Sequence, residues 1–417
     1  MKALYFDHAA STPVDPEVFR AMEPYFLEKF GNPGSVHAFG QEAIAAVDRS
    51  REALARAVGL PAASGFRQMI FTGSATEANN LAVRGALLAA RAGFARGESE
   101  GAKQGRPRLI VSAIEHESIL ETARAAEQMG IDVVYVPVGR DGVVDEKKIK
   151  ENLDERTVLV SIQYANNEIG VIQPITRIAE TVRAFRAPRA ALAIPYPLFH
   201  TDAVQAFQFL DCDVTKLGVD LMTLSAHKIY GPKGVGALYA RDLKFLKPVI
   251  HGGGQEFGLR SGTENVPAIV GFAKAAELAL AAREKESKRL EALRDRLWEG
   301  IKKIVPDAEK NPAVESAVRS AQTSGAQTRP LPNLLNVYFP GHAAQDLLTR
   351  LDLEGLAASS GSACRSRALE PSYVIEALGY PNERARSSIR LSLGRPTTEK
   401  DIDGALATFS RVCRNNK

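Results

Sequence analysis

The chain has 417 residues, 45% hydrophobic and 24% charged, enough to bury a large core shared between two domains. A net charge of +4, with bases scattered among acids, is too small to imply a nucleic-acid surface; no apolar run nears the roughly 20 residues of a bilayer span, and the N-terminus leads straight into polar Asp7-His8, so a cytoplasmic protein is expected. Three widely spaced cysteines, Cys212, Cys364 and Cys413, argue against a disulfide framework and against a structural zinc site.

In chain order, Glu42–Val58 reads as a helix, Met69–Phe71 as a strand and Glu77–Ala90 as a helix. Leu109–Ser112 follows as a strand, Glu117–Met129 as a helix, and Val133–Val136, Val158–Ile162 and Val219–Leu224 as strands. This alternation predicts an α/β fold, a mainly parallel sheet with helices on both faces, whose ligands sit at the carboxyl ends of the strands. After Gly258 the character changes to the long charged helix Lys274–Ile301 and strand-like Asn333–Tyr338 and Ser388–Leu393, which suggests a second, smaller α+β domain. The expected division is 15–257 for the large domain, with 1–14 and 258–417 in the small one. Ala92–Arg106 and Lys310–Arg329 read as loops without a core.

Two strand-end clusters carry the chemistry: Thr201-Asp202-Ala203-Val204-Gln205, and Ser225-Ala226-His227-Lys228 at the end of Val219–Leu224. A lysine at a strand's carboxyl end beside an acid from a neighbouring strand is what pyridoxal 5'-phosphate (PLP) needs. The amine forms a Schiff base with the aldehyde, and the carboxylate keeps the pyridine nitrogen protonated. Taken singly, a strand-end lysine such as Lys228 is more often a solvated surface charge, and Asp202 could simply cap a helix beginning at Ala203; it is their joint spacing that points to the cofactor. Phosphate would be held at Thr72-Gly73-Ser74-Ala75-Thr76-Glu77, where a strand feeds a helix N-terminus; the plainer reading is a capping box. Ser225 and His227 would donate to the same phosphate, and Glu115-His116 puts an imidazole where it can stack on the ring and move a proton.

Together, Phe71–Asn80 (FTGSATEANN), Glu115-His116, Asn166–Gly170 (NNEIG), Ser225–Gly236 (SAHKIYGPKGVG), HGGGQ at 251–255 with RSGT at 260–263, Ser359–Ser366 (SSGSACRS) and Ser388–Arg395 (SIRLSLGR) resemble the cysteine desulfurases of the class V aminotransferase group, in order and over nearly the whole chain. The resemblance implies a PLP-dependent type I fold with a seven-stranded sheet in its large domain, a homodimer, and conversion of L-cysteine to L-alanine plus an enzyme-bound persulfide. It further implies Lys228 as the Schiff-base lysine, Asp202 as partner of the pyridine nitrogen, Gln205 and Asn167 as partners of the ring hydroxyl, and His116 as the stacked, catalytic imidazole. Ala75, Thr76, Ser225 and His227 would bind the phosphate, and Thr263 would reach the cofactor of the partner subunit. Arg390 would hold the substrate carboxylate. Asn32, in Gly31-Asn32-Pro33-Gly34, would assist it, although a simple turn serves as well.

Cys364 decides which reaction such a site runs. Its neighbours in Ser359–Ser366 are small and polar, suited to a loop that brings a thiolate to the substrate's sulfur and carries the persulfide to an acceptor, an iron–sulfur scaffold protein or a tRNA-thiolation partner. Cys212, flanked by Asp211 and Asp213, and Cys413, in a charged tail, are given no role. The chain departs from the family pattern at His8, where asparagine is usual, at Gly73-Ser74, and in insertions around 92–106, 187–197 and 310–329. It also ends soon after Arg395.

Overall fold

The computed structural model describes residues 3–61, 65–95, 106–187, 196–313, 330–361 and 371–414. Seven strands form the central sheet in the order β2-β8-β7-β6-β5-β3-β4: β2 (Met69–Thr72), β3 (Arg108–Ser112), β4 (Asp132–Val136), β5 (Thr157–Ser161), β6 (Leu198–Asp202), β7 (Leu221–Ser225) and β8 (Gly236–Ala240). Pairing is parallel from β7 through β6, β5 and β3 to β4, and antiparallel where β8 joins β7 and β2.

The strands read as continuous apolar runs because helices cover both faces, as parallel sheets require. Alternate side chains divide cleanly between two cores. Met69, Phe71, Ile110, Val160, Phe199 and Met222 enter one, while Ile70, Leu109, Val111, Leu159, Leu198 and Leu221 enter the other. On the second face the Ala75–Ala95 helix packs across β5, β7 and β8 and against the Glu117–Gln128 helix.

A second sheet, antiparallel in the order β12-β10-β9, unites β9 (Glu309–Lys310), β10 (Leu334–Tyr338) and β12 (Ser388–Ser392). β1 (Leu4–Tyr5) pairs in parallel with β11 (Leu356–Ala357), and Asp7 bridges to Ser392, so the N-terminal residues join the C-terminal part of the chain. The Val266–Ile304 helix, capped by the Asn265 side chain, packs along the Ala38–Ala57 and Glu399–Arg414 helices.

Three expectations need correction. The helix expected to stop at Ala90 runs to Ala95, since the alanine-rich tract keeps helix propensity high and one glycine does not end it. Lys310 is an edge residue of β9 rather than part of a loop; 311–313 follow it outside any strand or helix, and 314–329 of that predicted loop lie outside the described residues. Cys413 sits half-buried on the Glu399–Arg414 helix instead of in a charged tail, because that helix has an apolar side turned to the core.

Candidate active site

Five strand ends converge on a cavity of about 200 Å³. Ser74, Ala75 and Thr76 reach it from the turn after β2, His116 and Ser118 from the turn after β3, Gln163 and Asn167 from the segment after β5. Asp202 and Gln205 follow β6, and His227 and Lys228 follow β7. The register relates the central pair: β6 and β7 are adjacent, with Asp202 opposite Thr223, and Lys228 stands in the turn after β7, so the two reach one cavity from neighbouring strands. This is the carboxyl edge, where open α/β sheets bind ligands.

The turn after β2 serves two ends. Ser74 Oγ accepts from Glu77 N–H at 3.1 Å and Glu77 Oε2 accepts from Gly73 N–H at 2.9 Å, a capping box shifted by one residue on its return bond. Ala75 and Thr76, whose first-turn N–H groups no intrahelical carbonyl serves, line the cavity. β8 backs this turn at Gly236. A Cβ there would stand 2.5 Å from the Ser74 carbonyl carbon and 2.7 Å from Ala75 N, so only glycine lets the strand approach so closely.

Lys228 Nζ donates to the carbonyls of Ala9 and Ala10 at 2.6 and 2.7 Å. Gln205 Nε2 donates to the same Ala9 carbonyl at 3.0 Å, so the N-terminal segment walls the cavity and engages the amide expected to meet the ring hydroxyl. Both carboxylate oxygens of Asp202 are engaged. Its Oδ1 caps the following turn at Val204 N–H, 2.9 Å, while Oδ2 accepts from Asn79 Nδ2 at 2.8 Å.

His116 caps the Glu117–Gln128 helix, its Nδ1 accepting from Ser118 N–H at 3.1 Å, with Ser118 Oγ 2.8 Å away. Burial pulls its pKa down, with the Asp202 charge opposing and the Lys228 charge assisting. Burial, and then Lys228, lower His227 to about 4, so this ring is neutral near pH 7. Beneath them Glu115, fully buried and accepting from Gln163 N–H at 2.8 Å, is raised well above the usual carboxylate range by burial.

Arg390 reaches the cavity from β12 and is 1% exposed. Its Nη2 donates to Asp7 and its Nη1 to the Asn167 carbonyl, each at 2.8 Å, so a substrate carboxylate would meet a guanidinium already oriented by two acceptors. Asn32 lies apart from the cavity lining. It is exposed, and its Oδ1 closes a turn on Gly34 N–H at 2.9 Å, the plainer of its two readings. Thr263 is exposed and likewise outside the lining of its own chain's cavity. Cys364 lies outside the described residues. Cys212 is buried, and burial pushes its thiol to about 12, with Asp211 a lesser cause than the flanking acids suggested. Sequence reasoning passed over Asn79 and Ser118. The available signal was a polar residue on the buried side of the 75–95 helix: Asn79 is 0% exposed.

The residues fit PLP. Asn167 Oδ1 and Arg390 Nε, on two lining residues, are buried polar atoms without a hydrogen-bond partner among the described residues, and so is Ser225 Oγ at the end of β7, although Ser225 itself is outside the cavity lining. Such atoms are costly unless a ligand or water meets them.

The aminotransferase class-V family model matches residues 4–404. The chain is 40% identical to the cysteine desulfurase IscS of Dictyoglomus turgidum, over 99% of this chain and 94% of that one, and 40% identical to cysteine desulfurase IscS 1 of Archaeoglobus fulgidus, over 98% and 96%. Among solved structures, a NifS-like protein superposes with a TM-score of 0.84 at 33% identity, covering 99% of this chain and all of the other. SspA in complex with cysteine superposes with a TM-score of 0.72 at 32% identity, covering 93% and 98%.

Proposed function

We propose, from the premise that this chain belongs to the class-V aminotransferase family and is a cysteine desulfurase, that PLP occupies the cavity at the carboxyl ends of β2, β3, β5, β6 and β7. The observation that carries this reading is the meeting of Lys228 and Asp202 from adjacent strand ends. Ala75, Thr76, Ser225 and His227 are assigned to the phosphate, Asp202 to the pyridine nitrogen, and Asn167 and Gln205 to the ring hydroxyl. Lys228 is assigned to the aldehyde carbon, and Thr263 to the phosphate of a second copy's cofactor. When bound, PLP withdraws electrons from the substrate carbon.

The protein's own residues do the rest. Arg390 orients the carboxylate of L-cysteine, with Asp7 holding its guanidinium in place. Lys228 moves protons at its Nζ, steadied by the Ala9 and Ala10 carbonyls. The Cys364 thiolate takes the sulfur atom from cysteine. A new S–S bond forms as the substrate C–S bond breaks, the substrate carbon gains a proton, and L-alanine leaves. The persulfide then passes to a thiol-bearing acceptor, an iron–sulfur scaffold protein or a tRNA-thiolation partner. Exposed Phe19, Phe26, Leu27 and Phe30 support a homodimer. No helix among the described residues is long and apolar enough to cross a membrane, and a cytoplasmic setting is proposed. Residues 15–257 are taken as the large domain, and the β1–β11 pairing supports grouping 1–14 with 258–417.

The test is Cys364→Ala. The variant should bind PLP and L-cysteine, as followed by absorbance, yet release no alanine above background and show no 32-Da adduct by intact mass, about one sulfur atom. Alanine release at the wild-type rate would refute the role of Cys364, and a wild-type protein that takes up no PLP would refute the site.

A further inference from the structure

One amide joins the two groups that would flank the cofactor ring. Asn79 Nδ2 lies 2.8 Å from Asp202 Oδ2 and 2.8 Å from Ser118 Oγ, one hydrogen for each acceptor. The amide cannot be turned over, because its oxygen would then face the Asp202 carboxylate, acceptor against acceptor. Ser118 Oγ therefore receives a proton from Asn79, and its own O–H is left to point at His116 Nδ1, 2.8 Å away. Ser118 N–H reaches the same nitrogen at 3.1 Å. Two donors on Nδ1 leave the proton of the neutral ring on Nε2.

We infer that Asn79 is a positioning residue of this site, setting the Asp202 carboxylate directly and, through Ser118, the ring and tautomer of His116. Asn79 is 0% exposed, Ser118 8% and Asp202 8%, so water does not stand in readily for a lost bond. Donation runs outward from the amide, to the acid on one side and, through the Ser118 hydroxyl, to the imidazole on the other. His116 consequently presents an N–H from Nε2 and keeps Nδ1 occupied, and proton traffic on that ring is confined to Nε2. The inference rests on the reading of this cavity as a PLP site, but the chain of bonds exists without the cofactor and can be tested without it.

The experiment compares the wild-type protein with Asn79→Leu and Ser118→Ala, as apoprotein and after PLP titration. Histidine nitrogen NMR of the wild-type apoprotein should show His116 as the Nε2–H tautomer; an Nδ1–H ring would overturn the inference. Both substitutions should move the His116 signals and leave those of His37 and His342 in place. An unchanged His116 signal in either variant would overturn it. Asn79→Leu removes a bond to a charged group and should weaken PLP binding about tenfold, with a shift in the pH titration of the bound cofactor's absorption band. PLP affinity and titration equal to wild type would overturn the link to Asp202. Should Asn79→Leu fail to fold, Ser118→Ala carries the test, since it removes only a hydroxyl and its melting temperature reads its folding. A wild-type protein that binds no PLP would sink the cofactor reading, whereas the NMR result would still decide the bond chain.

Discussion

Arg51→Met should destabilise the protein by about 3–5 kcal/mol, the cost of stranding a buried charge. Arg51 and Glu256 have side chains only 4% and 1% exposed. The guanidinium meets both carboxylate oxygens, at 2.6 and 2.7 Å, and donates to the Met69 carbonyl at 2.7 Å. Three rings surround it, with Phe66 at 5.4 Å and Phe71 and Phe257 each at 4.9 Å from Cζ. Methionine retains the apolar stem against those rings but leaves Glu256 with the Phe71 N–H, 2.8 Å away. The ring contacts add roughly 0.5–2 kcal/mol each at most and do not sum, so the stranded carboxylate sets the scale. Glu256 and Phe257 both hold positive φ, 48° and 59°, a conformation costing about 1–3 kcal/mol per residue that the ion pair helps to maintain. The loop continues to Arg260, whose Nε holds Glu77 at 2.8 Å over the turn after β2. Guanidinium unfolding of the apoprotein at one fixed concentration is the assay. The double variant Arg51→Met with Glu256→Gln removes the stranded charge and should recover about 2 kcal/mol of the loss. A single-variant cost under about 1 kcal/mol, or a double variant no better than the single, would refute the reasoning.

Gly236→Ala should leave the sheet intact and weaken PLP binding at least tenfold, because the new methyl displaces the Ser74–Ala75 backbone; unchanged affinity would show that this turn does not hold the phosphate. His200, fully buried between Ser161 Oγ at 2.8 Å and Thr223 Oγ1 at 3.0 Å, is lowered by burial to about 3. From pH 6.5 down to about 3 the unfolded chain holds a proton that the folded chain refuses, so stability falls with pH by up to ~1.4 kcal/mol per unit, and His200→Gln should lessen that slope. Equal slopes for the two proteins in urea unfolding at pH 7, 6 and 5 would contradict the assignment. Cys212, pushed to about 12 by burial, should react with iodoacetamide only as the protein unfolds, and Cys212→Ala should keep its turnover; rapid labelling in the native state, read by peptide mass, would contradict the burial.

The strands and long helices were legible because their periodicity is local. Met69–Phe71, Leu109–Ser112 and Asn333–Tyr338 each fall within two residues of the observed strands. β8 was not anticipated: Gly-Ala-Leu-Tyr-Ala has little β-branched character, and its strand state comes from pairing on both sides with β2 and β7. The helices Ile175–Arg186 and Glu399–Arg414 were also passed over, although both are amphipathic. The placement of the lysine and the acid beside one cavity could be expected from their joint occurrence at two strand ends. The turn at Asn32 was legible because its partner, the Gly34 N–H, is two residues away, whereas the bond from Gln205 to the Ala9 carbonyl was not, because it depends on how the distant N-terminal segment is placed.

Asn79 illustrates why such positioning residues escape a reading by motif. It stands in FTGSATEANN beside residues whose type announces phosphate binding, and nothing in its spacing distinguishes it from Asn80, whose side chain bonds back to the Thr76 carbonyl at 3.0 Å on the exposed side of the helix. Identical side chains one residue apart differ by about 100° around the helix axis. One faces water and answers to its own helix; the other faces inward and answers to β6 and to the turn after β3, 123 and 39 residues away in sequence. A buried amide is tolerable only where its donors find partners. Once the helix phase puts Asn79 inside, the strand ends must supply acceptors, and the acceptors present are the acid assigned to the pyridine nitrogen and the serine that holds the imidazole. The same helix that carries at its N-terminus the turn assigned to the phosphate thus carries, one turn later, the residue that joins the groups assigned to the ring.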